Sequence, residues 1–201
     1  ATVGLGLNEI NETGCAWVVL NWQMKIIRRP AYNDELTVYT WSTSADKLFA
    51  ERDFRINDKN GETIVIATSR WLYMDINRRR PVRITPEIMD RYESEPETRV
   101  FTEKVNRIDP PDTGYIEIPY NILRRDVDYL GHMHNISYLD AAYDVMPEEY
   151  FNGPQFNFVS IEYRKELLRN DEVKAHFYKI DKGCIISLNT DKINAVIMLK
   201  Y

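Results

Sequence analysis

Cysteine is scarce in this chain of 201 residues: Cys15 and Cys184 are the two present, far apart and outside any metal-ligand spacing. That excludes a disulfide framework and a cysteine-built zinc site, and two reduced thiols are expected. Long apolar runs are missing too. No stretch approaches the roughly 20 residues that a membrane span needs. Nor does Ala1 to Asn21 carry the basic region followed by an apolar core that marks a secretory leader. The expected location is therefore cytoplasmic, where the sequons at Asn11 and Asn135 carry no sugar. A basic surplus is also lacking. The net charge of -5 speaks against nucleic-acid binding, because neutralising phosphates takes a basic face. Arg28-Arg29, and Arg78-Arg79-Arg80 with Arg83, are local exceptions. With 44% hydrophobic and 28% charged residues, the chain has the composition of a soluble globular protein of one large or two small domains.

What is present is mostly strand. Val18, Leu20, Trp22, Met24 and Ile26 alternate with Val19, Asn21, Gln23 and Lys25, the period of a half-buried strand. Leu36 to Trp41 is rich in Thr, Val, Tyr and Trp. Leu48 to Ile56 alternates, Asp58-Lys59-Asn60-Gly61 marks a turn, and Ile64 to Ile76 is a long return strand, so an antiparallel meander is predicted. From Asn77 to Thr113 the chain is polar and carries Pro81, Pro86, Pro96, Pro110 and Pro111, with a short helix expected near Pro86 to Tyr92. A second meander follows in Val159 to Tyr163, Val173 to Phe177, Cys184 to Leu188 and Ile193 to Leu199. Asn33-Asp34-Glu35-Leu36 and Asn170-Asp171-Glu172-Val173 open the second strand of each, so the halves read as copies of one unit.

The densest chemistry lies ahead of the second meander. Ile116, Ile118, Tyr120 and Ile122 alternate as a strand; Leu139, Ala142, Tyr143 and Met146 share a helical face within about Asn135 to Met146. Between them runs Arg125-Asp126-Val127-Asp128-Tyr129-Leu130-Gly131-His132-Met133-His134-Asn135, with two of the three histidines. Carboxylates and an imidazole at a strand-to-helix junction suit acyl transfer, since free N–H groups at a helix start favour developing negative charge. Read singly, Asp128 is equally a turn or N-cap residue, His132 a structural histidine and Glu166 a solvated charge. His132 and His134 invite a metal reading. A third ligand is wanting, because His176 is distant and Cys184 isolated, so neither metal nor cofactor is expected.

Several segments in order resemble the acyl-ACP thioesterase family. Trp22-Gln23-Met24-Lys25-Ile26, Arg29-Pro30-Ala31-Tyr32, Thr40-Trp41, Arg52-Asp53-Phe54, Gly61-Glu62 and Ala67-Thr68-Ser69-Arg70-Trp71 look like its first half. Asp126 to Tyr138 is similar to its D-x-D-x-N-x-H-x-N-N-x-x-Y segment, and Glu162-Tyr163-Arg164-Lys165-Glu166 to its E-Y-R-x-E segment. Leu130 and His134 stand where the family has Asn, and Leu167 where plant members have Cys.

The resemblance implies an α+β fold of two tandem hotdog modules, each an antiparallel sheet wrapped on a helix. It divides the chain into residues 1–93, a linker over 94–113 and a catalytic module over 114–201. The first module lacks its leading strand and part of its helix, so either the chain is a fragment or it builds that half differently; Ala1 in place of Met favours a trimmed chain. The implied activity is hydrolysis of fatty acyl-acyl-carrier-protein. Glu166 would activate water, Asp128 would orient His132 or the water, and His132 would serve the tetrahedral intermediate, with Asp126 the substitute carboxylate. Gly131, His134, Asn135 and Tyr138 would line the substrate site, and N–H groups near Gly131 and His132 would hold the oxyanion. The tetrads align Arg29 with Glu166, so one active site per chain is expected, leaving the first half to hold the acyl chain. Acyl carrier protein is the expected partner, docking on Arg78, Arg79, Arg80 and Arg83; a homodimer is possible. The alternatives are an acyl-CoA thioesterase of the same superfamily and a non-catalytic acyl-binding module.

Overall fold

The computed structural model describes residue 10 and residues 12–101, 105–129 and 131–201. It divides into two compact units, residues 1–105 and 106–201. The first unit holds β1 (Cys15–Ile26), β2 (Leu36–Ala45), β3 (Phe49–Asp58), β4 (Thr63–Asp75), β5 (Arg80–Pro81) and the helix α1 (Pro86–Arg91). Its strands are antiparallel in the order β2-β3-β4-β1, with β5 pairing β4. The β1–β4 ladder runs from Cys15 opposite Asp75 to Ile26 opposite Val65, with a bulge between Val19 and Asn21. The predicted turn after β3 forms as read. Gly61, at φ 83°, donates its N–H to the Asp58 carbonyl, and the Asp58 carboxylate accepts from the N–H groups of Asn60 and Glu62. The expected shortage of a leading strand and helix falls on residues 1–9, which lie outside the described residues.

The second unit holds β6 (Tyr115–Tyr120), α2 (Ser137–Asp144), α3 (Glu148–Phe151), β7 (Phe158–Tyr163), β8 (Val173–Ile180), β9 (Gly183–Asn189) and β10 (Ile193–Lys200). The order is β7-β10-β9-β8-β6. β10 lies inside the sheet and α2 packs on it, so Ala195, Ile197 and Leu199 are fully buried. The other face is sealed by Ile108, which joins Tyr178, Ile185 and Val196. The buried side of α2 is Tyr138, Ala141 and Ala142, continued by Val145. That is rotated from the face predicted through Leu139 and Tyr143, because the two alanines let the helix lie close to the sheet.

The expected linker at 94–113 is not a free connection. Its first part straps the first unit: Ser94 and Ser42 share a hydroxyl hydrogen bond of 2.7 Å, and the Val100 N–H donates to Asp53 at 2.7 Å. Its later part belongs to the second unit, where the Ile108 N–H donates to Glu162 at 2.9 Å.

The repeated tetrads build the same turn twice. The Ala31 N–H donates to the Asp34 carboxylate at 2.8 Å, and the Asp34 N–H returns to the Ala31 carbonyl at 3.2 Å. Leu168 and Asp171 repeat this at 2.9 and 3.0 Å. An Asp side chain that mimics a backbone turn explains why the tetrad recurs where each second strand starts.

Candidate active site

The site is assembled from two segments of the second unit. The first begins in a 3-10 turn, Arg124–Asp126, pinned by the Asp126 carboxylate accepting from the Leu123 N–H at 2.7 Å. The chain then doubles back. Val127 bridges Met133, and the Asp128 N–H donates to the His132 carbonyl at 2.9 Å. Gly131, at φ 82°, closes the tip by donating to the Asp128 carbonyl at 3.0 Å; the left-handed conformation there is one that glycine adopts freely. Leu130, one of the departures from the family pattern, lies outside the described residues.

The second segment follows β7. His132 bridges Leu168, and the Met133 N–H donates to the Leu167 carbonyl at 2.7 Å. This pairing brings His132 Nε2 to 3.5 Å from Glu166 Oε2. The side chains stay 32% and 41% exposed, so water and a substrate carbonyl can reach both. Asp128 sits behind: its carboxylate accepts from the His132 main-chain N–H at 3.1 Å and so fixes the point from which the imidazole projects.

The other expected site residues divide. His134 and Asn135 are exposed. The Asn135 carbonyl accepts from the Tyr163 hydroxyl at 2.8 Å, and His134 Nδ1 accepts the Ile136 N–H at 3.4 Å. Tyr138, expected to line the substrate site, is 3% exposed, and its hydroxyl accepts from the Leu167 N–H at 3.2 Å. Burial pushes that phenol up to about 12, so it stays neutral and holds the Glu166 segment from beneath. Asp126, the substitute carboxylate, is buried and caps the 3-10 turn by accepting from the Leu123 N–H. The expected oxyanion donors differ as well. The N–H groups of Gly131 and His132 are both spent on Asp128, and α2 begins only at Ser137. The His132 ring, half-exposed beside Glu166, is a donor that the site does offer.

One residue escapes a reading of the sequence for catalytic types. Asn194, wholly buried in β10, donates its side-chain N–H to the Glu166 carbonyl at 3.2 Å, and its Oδ1 accepts from Thr190. The signal available was an amide amid Ile193, Ala195, Val196 and Ile197, where an apolar residue costs nothing to bury. Among the described residues, no three His, Cys, Asp or Glu side chains gather where they would hold a metal ion. Cys184 is buried, which pushes its thiol up to about 12 and removes it from nucleophilic use.

Two antiparallel sheets with these strand orders, the second packed on a helix and carrying a half-exposed His–Glu pair, define a tandem hotdog protein. The chain matches the acyl-ACP thioesterase N-terminal domain over residues 1–92 and the acyl-ACP thioesterase C-terminal domain over residues 111–198, and it belongs to the acyl-ACP thioesterase family. It is 29% identical over 167 residues to the oleoyl-acyl carrier protein thioesterase 2 of Arabidopsis thaliana, covering 78% of this chain and 46% of that one. It is 25% identical over 173 residues to the palmitoyl-acyl carrier protein thioesterase of the same plant, covering 83% and 42%. The chain thus spans about half the length of the curated relatives it matches. The fold is shared with an acyl-ACP thioesterase from Bacteroides thetaiotaomicron at a TM-score of 0.83 and 20% identity, covering 98% of this chain and 81% of that chain. It is shared also with the 12:0-ACP thioesterase from Umbellularia californica, at 0.81 and 19%, covering 98% and 78%.

Proposed function

We propose that the chain hydrolyses fatty acyl-acyl-carrier-protein to a free fatty acid and the carrier thiol, with Glu166 and His132 as catalytic residues and Asp128 as a positioning residue. The observation that carries this is the 3.5 Å approach of His132 Nε2 to Glu166 Oε2 on an open surface. Glu166 takes a proton from water as the oxygen attacks the thioester carbonyl carbon. The carbonyl oxygen gains charge and is met by the His132 ring N–H. The intermediate collapses with cleavage of the C–S bond, and the proton held by Glu166 returns to the departing thiolate. General acid–base assistance of this kind is typically worth about 10²–10⁴-fold. The names of the plant relatives, oleoyl- and palmitoyl-acyl carrier protein thioesterases, support the substrate class.

Carrier docking belongs to the same proposal. Arg78, Arg79, Arg80 and Arg83 are all exposed around the β4–β5 hairpin, a basic patch suited to an acidic carrier. Cytoplasmic location and a homodimer are carried as expectations of this reading; no described helix is long and apolar enough to cross a membrane. The test is hydrolysis of carrier-linked and CoA-linked thioesters from short to long acyl chains, with His132→Ala and Glu166→Ala beside the parent. A loss of about 10² or more in kcat for both variants supports the site. Equal kcat/KM on the two carriers would instead favour the acyl-CoA reading, and binding of fatty acid without turnover would favour the acyl-binding module. Reversing the charge of Arg78, Arg79 and Arg80 should raise KM for the carrier-linked substrate more than for a small thioester.

A further inference from the structure

The two units use one backbone device at the end of the strand that precedes the repeated turn. In the first unit the Ile64 carbonyl accepts two consecutive N–H groups, from Ile27 at 2.8 Å and Arg28 at 3.1 Å. In the second the Asn194 carbonyl accepts from Arg164 at 2.8 Å and Lys165 at 3.0 Å. Ile64 and Asn194 are therefore equivalent positions, both buried. The residue that follows each doubly bonded pair is Arg29 in one unit and Glu166 in the other.

Where the first unit has the apolar Ile64, the second adds a side-chain bond from Asn194. The Asn194 amide reaches the Glu166 carbonyl at 3.2 Å and is itself fixed by the Thr190 N–H and hydroxyl, both at 2.9 Å. Ile64 shows that the fold at this position needs no amide. Placing Asn in a wholly buried strand site exposes the chain to a desolvation penalty that the apolar residue avoids. What distinguishes the unit that bears it is the candidate base next door.

We infer that Asn194 is a positioning residue for Glu166, its buried amide locking the peptide from which the carboxylate projects toward His132. With Arg164, Lys165 and Glu166 tied to Asn194, Leu167 tied to Tyr138 and Met133, and Leu168 tied to Asp171 and His132, each residue from 164 to 168 is anchored through its backbone. The Glu166 side chain is left as the moving part. Outer-shell partners of this kind are worth about 10–100-fold in metal sites, and a comparable factor is expected for a misplaced base.

This inference rests on the proposed role of Glu166, and the experiment separates the two. Asn194→Ile installs the residue of the first unit, Glu166→Gln removes the base, and the double variant combines them, each assayed for kcat and KM on acyl-carrier substrate after its folding has been checked by melting. The expected result is that Asn194→Ile lowers kcat about 10–100-fold with KM little changed. Added to Glu166→Gln it should lower kcat no further, because it acts only through that carboxylate. A purely structural Asn194 would give equal losses in both backgrounds, which overturns the inference. A large loss for Glu166→Gln with none for Asn194→Ile overturns it alone; no loss for Glu166→Gln overturns the site reading with it. Should Asn194→Ile fail to fold, Asn194→Asp keeps the shape. Ionised, it cannot donate to the Glu166 carbonyl; protonated, it can. Its kcat relative to the parent should therefore fall as pH rises, and a ratio flat at the parent level overturns the inference.

Discussion

Arg29 and Glu166 occupy equivalent places in two copies of one structural unit. Each follows two residues just past a strand whose N–H groups converge on a single carbonyl, and each precedes a turn closed by an Asp side chain, at Asp34 or Asp171. The scaffold therefore does not by itself produce chemistry. It delivers a side chain to a fixed point, and in the second unit that point faces His132 across 3.5 Å. The difference lies in the residue delivered and in the partners recruited to hold it.

The sharpest way to break this comparison is to treat the pair alike. Glu166→Gln is expected to lower kcat by about 10²–10⁴-fold, whereas Arg29→Gln should leave it within the scatter of the assay. A loss for both would mean that the first unit contributes to turnover. Next in size is Tyr138→Phe. It strands the buried Leu167 N–H and should cost about 1–3 kcal/mol in denaturant unfolding, with activity at low temperature reduced less than by Glu166→Gln.

A smaller effect sharpens the contrast between the two glycines. Gly131 and Gly61 have nearly the same positive φ, 82° and 83°, and open space where a Cβ would go. Gly131→Ala and Gly61→Ala should each cost about 1–2 kcal/mol of stability through backbone strain alone. Only Gly131→Ala should also lower kcat, since it deforms the loop that carries His132. The least effect is expected at the ion pairs made by the second residue of each convergent N–H pair. Arg28 pairs with the nearly buried Asp58, Lys165 with the exposed Asp191 at 3.4 Å. Arg28→Ala should cost up to about 1 kcal/mol and Lys165→Ala close to nothing, read as shifts in denaturant midpoint.

Much of this was legible in the residues themselves. Alternation drew β1 and β4, and the repeated Asn-Asp-Glu tetrad located both turns because an Asp that closes a turn is a local signal. The titratable cluster at Asp128 and His132, and its distant partner Glu166, followed from residue type and resemblance. The roles of Asn194 and Tyr138 did not. Each acts on a main-chain group of a segment far along the chain, at Glu166 and Leu167, and a backbone carbonyl or N–H has no letter of its own. The same reason hid the fate of the Gly131 and His132 N–H groups. They looked available until the loop folded back and Asp128 consumed them. The polar, proline-rich stretch at 94–113 read as a linker because Ile108 is one apolar residue among charged neighbours, and its burial depends on Tyr178, Ile185 and Val196.

The contacts that hold the Glu166 segment bridge long stretches of chain: 28 residues from Glu166 to Asn194 and 29 from Leu167 to Tyr138. Closing such loops carries an entropic cost that precedes any reward, so contacts of this range form late. Refolding of this chain should regain helical signal from α2 before it regains turnover. On the proposed function, activity becomes a clock for the final annealing of β7 against β10, and any agent that traps an unsealed sheet is expected to yield a protein with its secondary structure present and no hydrolysis.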